Sequence, residues 1–329
     1  MATAWDNVLR NQLLDRRERL AAAIGFRDGS ERLAALLHEV DMALERFDDG
    51  IFGLCDHCKG TIEAERLMAD PLVSTCLDCL STQQKRALED DLDLAARIQS
   101  GLLPKEVKYD GWAVSFRYQP AGPVSGDYCD LLADQSGAGL MFLVGDVSGK
   151  GVAASLLMSQ LHAIFRSLSP FATAVEDLVH RANRIFCEST LSTHYATLVC
   201  GRAGPSGEVM LCNAGHCPPV VVGKNGCITV EPTGLPLGLF CETAYSCHRI
   251  LLEPGETVAI YTDGLTEAED AEDREYGMER FQRVLQQSAA ATPSELVDAC
   301  IEDVRNFRGP AAQRDDLTLL LVRRQPVLQ

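Results

Sequence analysis

The chain has 329 residues, with 47 Asp and Glu against 30 Lys and Arg, a formal net charge of −17 and 46% apolar residues. That length exceeds one ordinary core and points to two or three folded units, with the composition of a globular protein. Its acidic field, with no Lys/Arg cluster to offset it, repels nucleic acid and anionic lipid and disfavours both as partners, and no apolar run approaches the roughly 20 residues that span a bilayer.

The first residues, Met1-Ala-Thr-Ala-Trp-Asp, lack the basic-then-apolar pattern of an export signal, so a cytoplasmic location is expected. Residues 4–48 read as two helices. The second carries Leu33, Leu37, Val40, Leu44 and Phe47 at the spacing of one helical face. The first carries Val8 or Leu9, Leu13, Leu20 and Ile24 less regularly. Arg27-Asp28-Gly29-Ser30 reads as the turn between them, with Ser30 placed to cap the second helix, so residues 1–49 form a helical hairpin. Residues 50–81 are short, turn-rich and hold paired cysteines. Residues 82–103 return to a helical pattern, with Leu88, Leu92, Ala95, Ile98 and Leu102 on one face, and Pro104 ends it. This linker helix is expected to pass a signal to the domain after it, packing as a coiled coil or on that domain.

From Trp112 onward β-rich segments recur at Trp112–Tyr118, Leu140–Asp146, Tyr195–Cys200, Val209–Asn213, Pro219–Val222, Thr257–Tyr261 and Leu317–Val322. Helical stretches interrupt them at about 152–168, 174–190 and 278–306. Several strands follow one another with only turns between, which predicts antiparallel pairing rather than a doubly wound parallel sheet.

The paired cysteines are Cys55-Asp56-His57-Cys58 and, seventeen residues later, Cys76-Leu77-Asp78-Cys79. Two such knuckles at this separation match a tetrahedral structural zinc site, and a segment this small depends on the metal for much of its folding free energy. His57 reads as a surface residue of the knuckle. The other nine of the thirteen cysteines are scattered, several inside apolar runs, and an odd total fits a reducing compartment rather than a disulfide framework.

Four acidic positions share one context, at a strand end or in the turn beside it. Asp127 lies in Gly122-Pro-Val-Ser-Gly-Asp-Tyr-Cys-Asp130, Asp146 in Leu143-Val-Gly-Asp-Val-Ser-Gly-Lys-Gly151, and Asp263 in Tyr261-Thr-Asp-Gly-Leu-Thr-Glu267. The fourth is one of the pair Asp315 and Asp316, ahead of Leu317. Each alone is an ordinary turn former. Together they supply the oxygen ligands that magnesium or manganese takes, leaving room for water. A nucleotide reading of Gly149-Lys150-Gly151 fails, because Val144 stands where a P-loop needs its first glycine.

Two resemblances follow from these residues. Phe52-Gly53-Leu54-Cys55-x-x-Cys58, Ile62, Glu65-Arg66-Leu67, Pro71 and Cys76-x-x-Cys79 resemble the DksA/TraR-type four-cysteine zinc finger, whose members carry a preceding coiled coil. That family implies RNA polymerase as a partner, engaged through acidic residues at the hairpin tip, where Asp28 sits. Residues 92–324 resemble the SpoIIE/RsbU branch of the PPM (PP2C-type) phosphatases. The stretches that match are Ala95-Ala-Arg-Ile-Gln-Ser-Gly-Leu-Leu-Pro104, Ser125-Gly-Asp-Tyr-Cys-Asp130, Gly145-Asp-Val-Ser-Gly-Lys-Gly151, Asn213-Ala-Gly-His-Cys-Pro-Pro219, Gly234-Leu-Pro-Leu-Gly238, Tyr261-Thr-Asp-Gly-Leu-Thr-Glu267 and Asp315-Asp-Leu-Thr-Leu319.

The phosphatase resemblance implies an α+β fold: a PPM-type sandwich of two antiparallel sheets flanked by helices over 104–326, preceded by the hairpin and the small four-cysteine zinc finger. It implies two Mn2+ or Mg2+ ions bridged by Asp146. The Val147 carbonyl serves one ion, Asp263 and Asp315 the other, and Asp127 acts through water or at the second ion. Asp315 is placed ahead of Asp316 by that family's pattern. Phosphoserine or phosphothreonine is then hydrolysed by direct attack of water held between the ions, on a regulatory protein of the STAS-domain, anti-anti-sigma type. One structural Zn2+ on Cys55, Cys58, Cys76 and Cys79, and a homodimer, complete the expectation. Three positions depart from the wider pattern: Ser125 replaces a frequent Gly, Cys129 replaces an aromatic residue, and Ser148 stands where eukaryotic relatives carry a histidine acid. No general acid is therefore assigned, and His216 reads as structural. The competing reading is a DksA-like regulator bound to RNA polymerase, with the phosphatase domain as a scaffold.

Overall fold

The computed structural model describes residues 4–25, 31–105, 109–133, 139–190, 193–224 and 226–326. They divide into two compact units, Met1–Asp91 and Leu92–Gln329. The expected turn at 27–30, Asp28 included, lies outside the described residues.

In the first unit, helix α1 (Ala4–Gly25) packs on α2 (Glu31–Asp48). Arg10 meets Asp48 at 2.9 Å and Arg17 meets Asp41 at 2.6 Å. Ascending positions on one helix therefore meet descending positions on the other, and the pair is antiparallel. Leu13, Val40, Ala43 and Leu44 fill the seam. Phe47 stacks on Phe52 and so ties α2 to the cysteine segment. That segment holds the short helix α3 (Ala64–Ala69) and a 3-10 turn at Leu77–Cys79. Its buried core is Leu9, Cys55, Ile62, Leu67 and Cys76, too small a set to hold such a segment by burial alone. Helix α4 (Thr82–Ser100) follows, and the division between the units falls within it.

The second unit runs β1 (Trp112–Gln119), β2 (Asp127–Ala133), β3 (Leu140–Val147), α5 (Gly151–Leu168), α6 (Val175–Ser189), β4 (Ala196–Ala203), β5 (Glu208–Ala214), β6 (Val220–Gly223), β7 (Gly226–Thr229), β8 (His248–Leu251), β9 (Thr257–Tyr261), α7 (Asp263–Thr266), α8 (Met278–Gln287), α9 (Pro293–Arg308) and β10 (Leu317–Arg324). Two five-stranded sheets result, in the orders β1-β10-β9-β6-β7 and β2-β3-β4-β5-β8. Every pairing is antiparallel, as expected.

Alternation along the strands explains the layers. On β3, Phe142 and Val144 point into the core shared with Ile260, Leu320 and Val322 of the other sheet. Met141 and Leu143 point the other way, onto Met158, Leu161 and Phe165 of α5 and Leu178 and Phe186 of α6. On β10, Leu319 and Leu321 meet Phe281 and Leu285 of α8 and Leu296, Val297 and Cys300 of α9. Both sheets are thus covered on both faces, which is why β3 and β10 read as unbroken apolar runs. Cys129 lies in the inter-sheet core as a small hydrophobe.

Three strands were not anticipated. The β2 strand begins on Asp127 itself, and β7 and β8 are four-residue edge strands with mixed polarity. The helix expected over 278–306 is two helices. Thr292 caps the second, accepting from Glu295 N while Glu295 returns a bond to Thr292 N, and Pro293 opens it. Among the described residues, no helix is long and apolar enough to cross a membrane.

Candidate metal centre and its surroundings

Antiparallel pairing sets Asp127, at the start of β2, directly opposite Asp146, near the end of β3. Gly126 is packed against that end of β3: a Cβ there would lie 3.0 Å from the Val147 carbonyl oxygen and 3.4 Å from Asp146 Oδ1. Asp263 is the first residue of α7, immediately beyond β9. Asp315 and Asp316 lead directly into β10, which pairs with β9. Gly264 allows this approach, because any side chain there would collide with the Asp316 carbonyl. Three chain segments distant in sequence therefore deliver carboxylates to one end of the sandwich.

The electrostatics record the convergence. Burial, then the charges of Asp263, Asp315 and Asp316, pushes Asp146 up to about 7, opposed in part by Lys150. Burial, then Asp315, also raises Asp263. Burial, then Asp146, raises Asp127 well above the ordinary carboxylate range. Such a set of mutually repelling oxygens has the donor chemistry of a hard divalent cation site, and the residues fit Mg2+ or Mn2+.

Each aspartate has its own surroundings. Asp127 is 1% exposed, and its Oδ2 accepts from Thr262 Oγ1 at 2.9 Å and Thr318 Oγ1 at 2.5 Å. Both threonines belong to the β9–β10 side, so this buried carboxylate joins the two sheets. Asp316 is committed to the backbone, accepting from Ala121 N at 2.7 Å and Gly126 N at 3.0 Å. It holds the β1–β2 loop. Asp315 is half-exposed and meets Lys150 Nζ at 3.0 Å, while that ammonium also donates to the Arg314 carbonyl at 2.9 Å. The neighbours thus differ in their partners: Asp316 secures the loop through two backbone bonds, and Asp315 pairs with Lys150.

Residues absent from the expected set support this end. Gln99 of α4, 5% exposed, donates to the Ser125 carbonyl at 2.7 Å and accepts from Ser125 N at 2.9 Å. Ser125 Oγ in turn accepts from Asp127 N at 3.0 Å, so the serine in place of glycine secures the turn through its hydroxyl. One amide on α4 therefore grips the backbone two residues before Asp127. Asp130 is fully buried and takes two bonds from Arg166, at 2.9 and 2.7 Å, fastening β2 to α5. Ser148 Oγ accepts from Tyr195 N at 3.0 Å and serves structure rather than acid catalysis. His216, 4% exposed, shares a hydrogen bond with Thr197 Oγ1 at 2.8 Å, and burial pushes it down to about 4. Thr197 faces Asp146 across the β3–β4 ladder, so the imidazole buttresses that strand as a neutral group.

In the first unit, the sulfurs of Cys55, Cys58, Cys76 and Cys79 all lie within 4.8 Å of one another, and Cys58 and Cys76 are 3.6 Å apart. Four thiolates about 2.3 Å from one zinc ion stand about 3.8 Å apart along tetrahedral edges, so the set fits a soft tetrahedral metal. Backbone N–H groups of Cys58 and Cys76 pull Cys55 down to about 6, while the hydrogen bond with Cys58 pushes Cys79 up to about 12. Glu63 accepts from Leu77 N at 3.0 Å and Arg66 donates to the Thr75 carbonyl at 2.7 Å, stitching the second knuckle in place. His57 is exposed and outside the sulfur cluster.

A pH dependence follows for the acidic cluster. Asp146 is raised toward about 7, so the folded protein stripped of divalent cations holds a proton that the unfolded chain has released. Its stability falls as pH rises from the ordinary carboxylate value of about 3.9 toward about 7. Cation binding requires that same proton to leave. The increase in melting temperature on adding Mn2+ should therefore grow from about pH 5.5 to about pH 8. Thermal scans with and without Mn2+ measure it, and a pH-independent increase would remove Asp146 from the cation site.

Comparison with known proteins agrees with this architecture. The chain is 26% identical over 266 residues to protein IcfG of Synechocystis, covering 71% of this chain and 41% of that protein. It is 25% identical over 251 residues to the phosphoserine phosphatase RsbU of Bacillus subtilis, covering 73% and 72%. The chain thus spans less than half the length of IcfG and nearly three quarters of RsbU. The SiaA-PP2C domain of Pseudomonas aeruginosa superposes with a TM-score of 0.65 at 19% identity, over 73% of this chain and 98% of that domain, which identifies the fold. Residues 136–325 match the family described as Stage II sporulation protein E, and the chain belongs to this SpoIIE family of PP2C-type serine/threonine phosphatases.

Proposed function

We propose that this chain is a metal-dependent protein phosphatase acting on a phosphoserine or phosphothreonine of a STAS-domain regulatory protein. The observation that carries the reading is the meeting of Asp146, Asp263 and Asp315 at one end of the sandwich, from three separate segments, with Asp146 raised by burial and then by the other two. In this reading the carboxylates of Asp146, Asp263 and Asp315 and the carbonyl of Val147 would hold two Mn2+ or Mg2+ ions. Divalent cations of this kind supply acidified water and offset phosphoryl charge.

The chain's own residues keep the donors in place. Asp127, fixed by Thr262 and Thr318, lies opposite Asp146 across the β2–β3 ladder and would act through water or at the second ion. Asp316 and Gln99 hold the loop carrying Gly126 against β3. A cavity of about 160 Å3, bordered by Gly264, Glu267, Arg308, Gln313, Arg314 and Asp315, adjoins the cluster. One structural Zn2+ on Cys55, Cys58, Cys76 and Cys79 organises residues 50–81. Residues 82–103 then link this module to a catalytic domain over 104–326.

The test is Mn2+-dependent phosphate release by the full chain from a phosphorylated STAS domain and from a phosphopeptide of the same local sequence. The domain should be preferred by at least about tenfold in kcat/KM, a difference of about 1.4 kcal/mol in transition-state binding. Equal rates would remove the STAS-domain assignment and leave a general phosphatase. Absence of both activities in the Mn2+-loaded protein would overturn the function itself.

A further inference from the structure

Two cysteines outside both clusters lie on neighbouring segments, Cys187 on α6 and Cys241 on the loop that α6 binds. Cys187 is half-buried in the last turn of α6, and Cys241 is exposed in the loop that follows Gly238. The helix builds their proximity. Asn183, fully buried one turn before Cys187, donates to the carbonyls of Phe240 at 2.8 Å and Cys241 at 3.3 Å, and accepts from Gly238 N at 2.9 Å. His180 shares a further bond with the Thr243 carbonyl at 3.0 Å. Positions 180, 183 and 187 share one helical face, so the backbone of 238–243 is laid along it. Cys241, whose carbonyl accepts from Asn183, is thereby laid along α6 about one helical turn from Cys187.

We propose that Cys187 and Cys241 form a reversible oxidation site, closing to a disulfide when the protein meets a hydroperoxide such as hydrogen peroxide. Exposure makes Cys241 the thiol that reacts first. Its thiolate attacks one peroxide oxygen, the O–O bond breaks, and a sulfenic acid forms as hydroxide leaves. The Cys187 thiolate then attacks the Cys241 sulfur, the S–S bond forms and a second hydroxide leaves. The two hydroxides take the two thiol protons. Two thiols and one peroxide thus become one disulfide and two waters, with sulfur losing the two electrons that peroxide gains.

The position gives the crosslink a consequence. Leu237, just ahead of the loop, pairs with Ala196 through both backbone bonds, at 2.9 and 2.7 Å. Ala196 faces Val147 across the β3–β4 ladder. A covalent tie from α6 to residue 241 therefore stiffens the segment bordering the strand end that carries Asp146 and Val147. Most other cysteines of this unit are placed differently: Cys129, Cys200, Cys212 and Cys300 are buried, and Cys247 donates to Glu176 at 3.2 Å.

The full zinc-loaded chain should be treated with a small excess of hydrogen peroxide, its remaining thiols alkylated, and its peptides mapped without reductant. A crosslinked pair containing Cys187 and Cys241, lighter by about 2 Da than the two reduced peptides and reversed by dithiothreitol, is expected. Cys241→Ser should abolish that pair and leave Cys187 open to alkylation, whereas Cys247→Ser should retain it. Conversion of Cys241 to sulfinic or sulfonic acid with Cys187 still free would overturn the site. So would capture of either cysteine by one of the four clustered thiols. Because the readout is covalent mass, its failure is separate from any failure of the phosphatase reading.

Discussion

Replacement of Asp146 by Asn should lower Mn2+-dependent phosphate release by about 1,000-fold or more, since in the proposed centre Asp146 would serve both cations. The fold should remain, because Asn fills the same volume at the end of β3. A second consequence has the opposite sign. Burial, then the charges of Asp263, Asp315 and Asp316, pushes Asp146 up to about 7. At pH 8 the cation-free protein bears the full repulsion, and Asn removes one charge from it. The variant should therefore melt higher than the parent without cation and gain little when Mn2+ is added. Phosphate release and paired thermal scans decide the matter. Full activity in the variant would place the chemistry elsewhere.

In the proposed zinc site, loss of the metal from the four cysteines should have the largest effect on structure. Residues 50–81 bury few apolar side chains of their own, and Cys55 and Cys76 are two of them. Structural zinc in small modules contributes about 10–16 kcal/mol of apparent binding energy at neutral pH. Cys76→Ser, or prolonged chelation, should release one zinc per chain and remove amide-exchange protection from residues 50–81. Strands β3 and β10 lie in a separate, fully buried core and should keep both their protection and aryl phosphate hydrolysis. Zinc analysis with residue-resolved exchange measures this. Retained protection at Cys55 and Ile62 without metal would make the cysteines ordinary core residues.

Some of this organisation was legible in the residues and some was not, for physical reasons. Long apolar runs such as Leu140–Val147 announced buried strands because both faces of each sheet are covered. Asp146, Asp263 and the Asp315–Asp316 pair were visible because each interrupts or abuts such a run. The β2 strand was hidden by its own chemistry: Asp127 and Asp130, which look like turn residues, are buried against threonine hydroxyls and Arg166 instead. Thr262 and Thr318 gave a faint signal, as hydroxyls beside aspartates in otherwise apolar strands. Gln99 gave less, since the partner that explains it lies 26 residues away in sequence. The break between α8 and α9 was written in Thr292, Pro293 and Glu295, a capping box outweighed by the apolar periodicity on either side.

The assignment of the acidic cluster as a two-cation phosphatase centre is tested most directly by anomalous scattering from crystals grown with Mn2+. Two peaks about 4 Å apart, one on each side of the Asp146 carboxylate, with Asp263 and Asp315 at one and the Val147 carbonyl at the other, are expected. A cluster without peaks at saturating Mn2+, or with Asp146 facing neither, would contradict it.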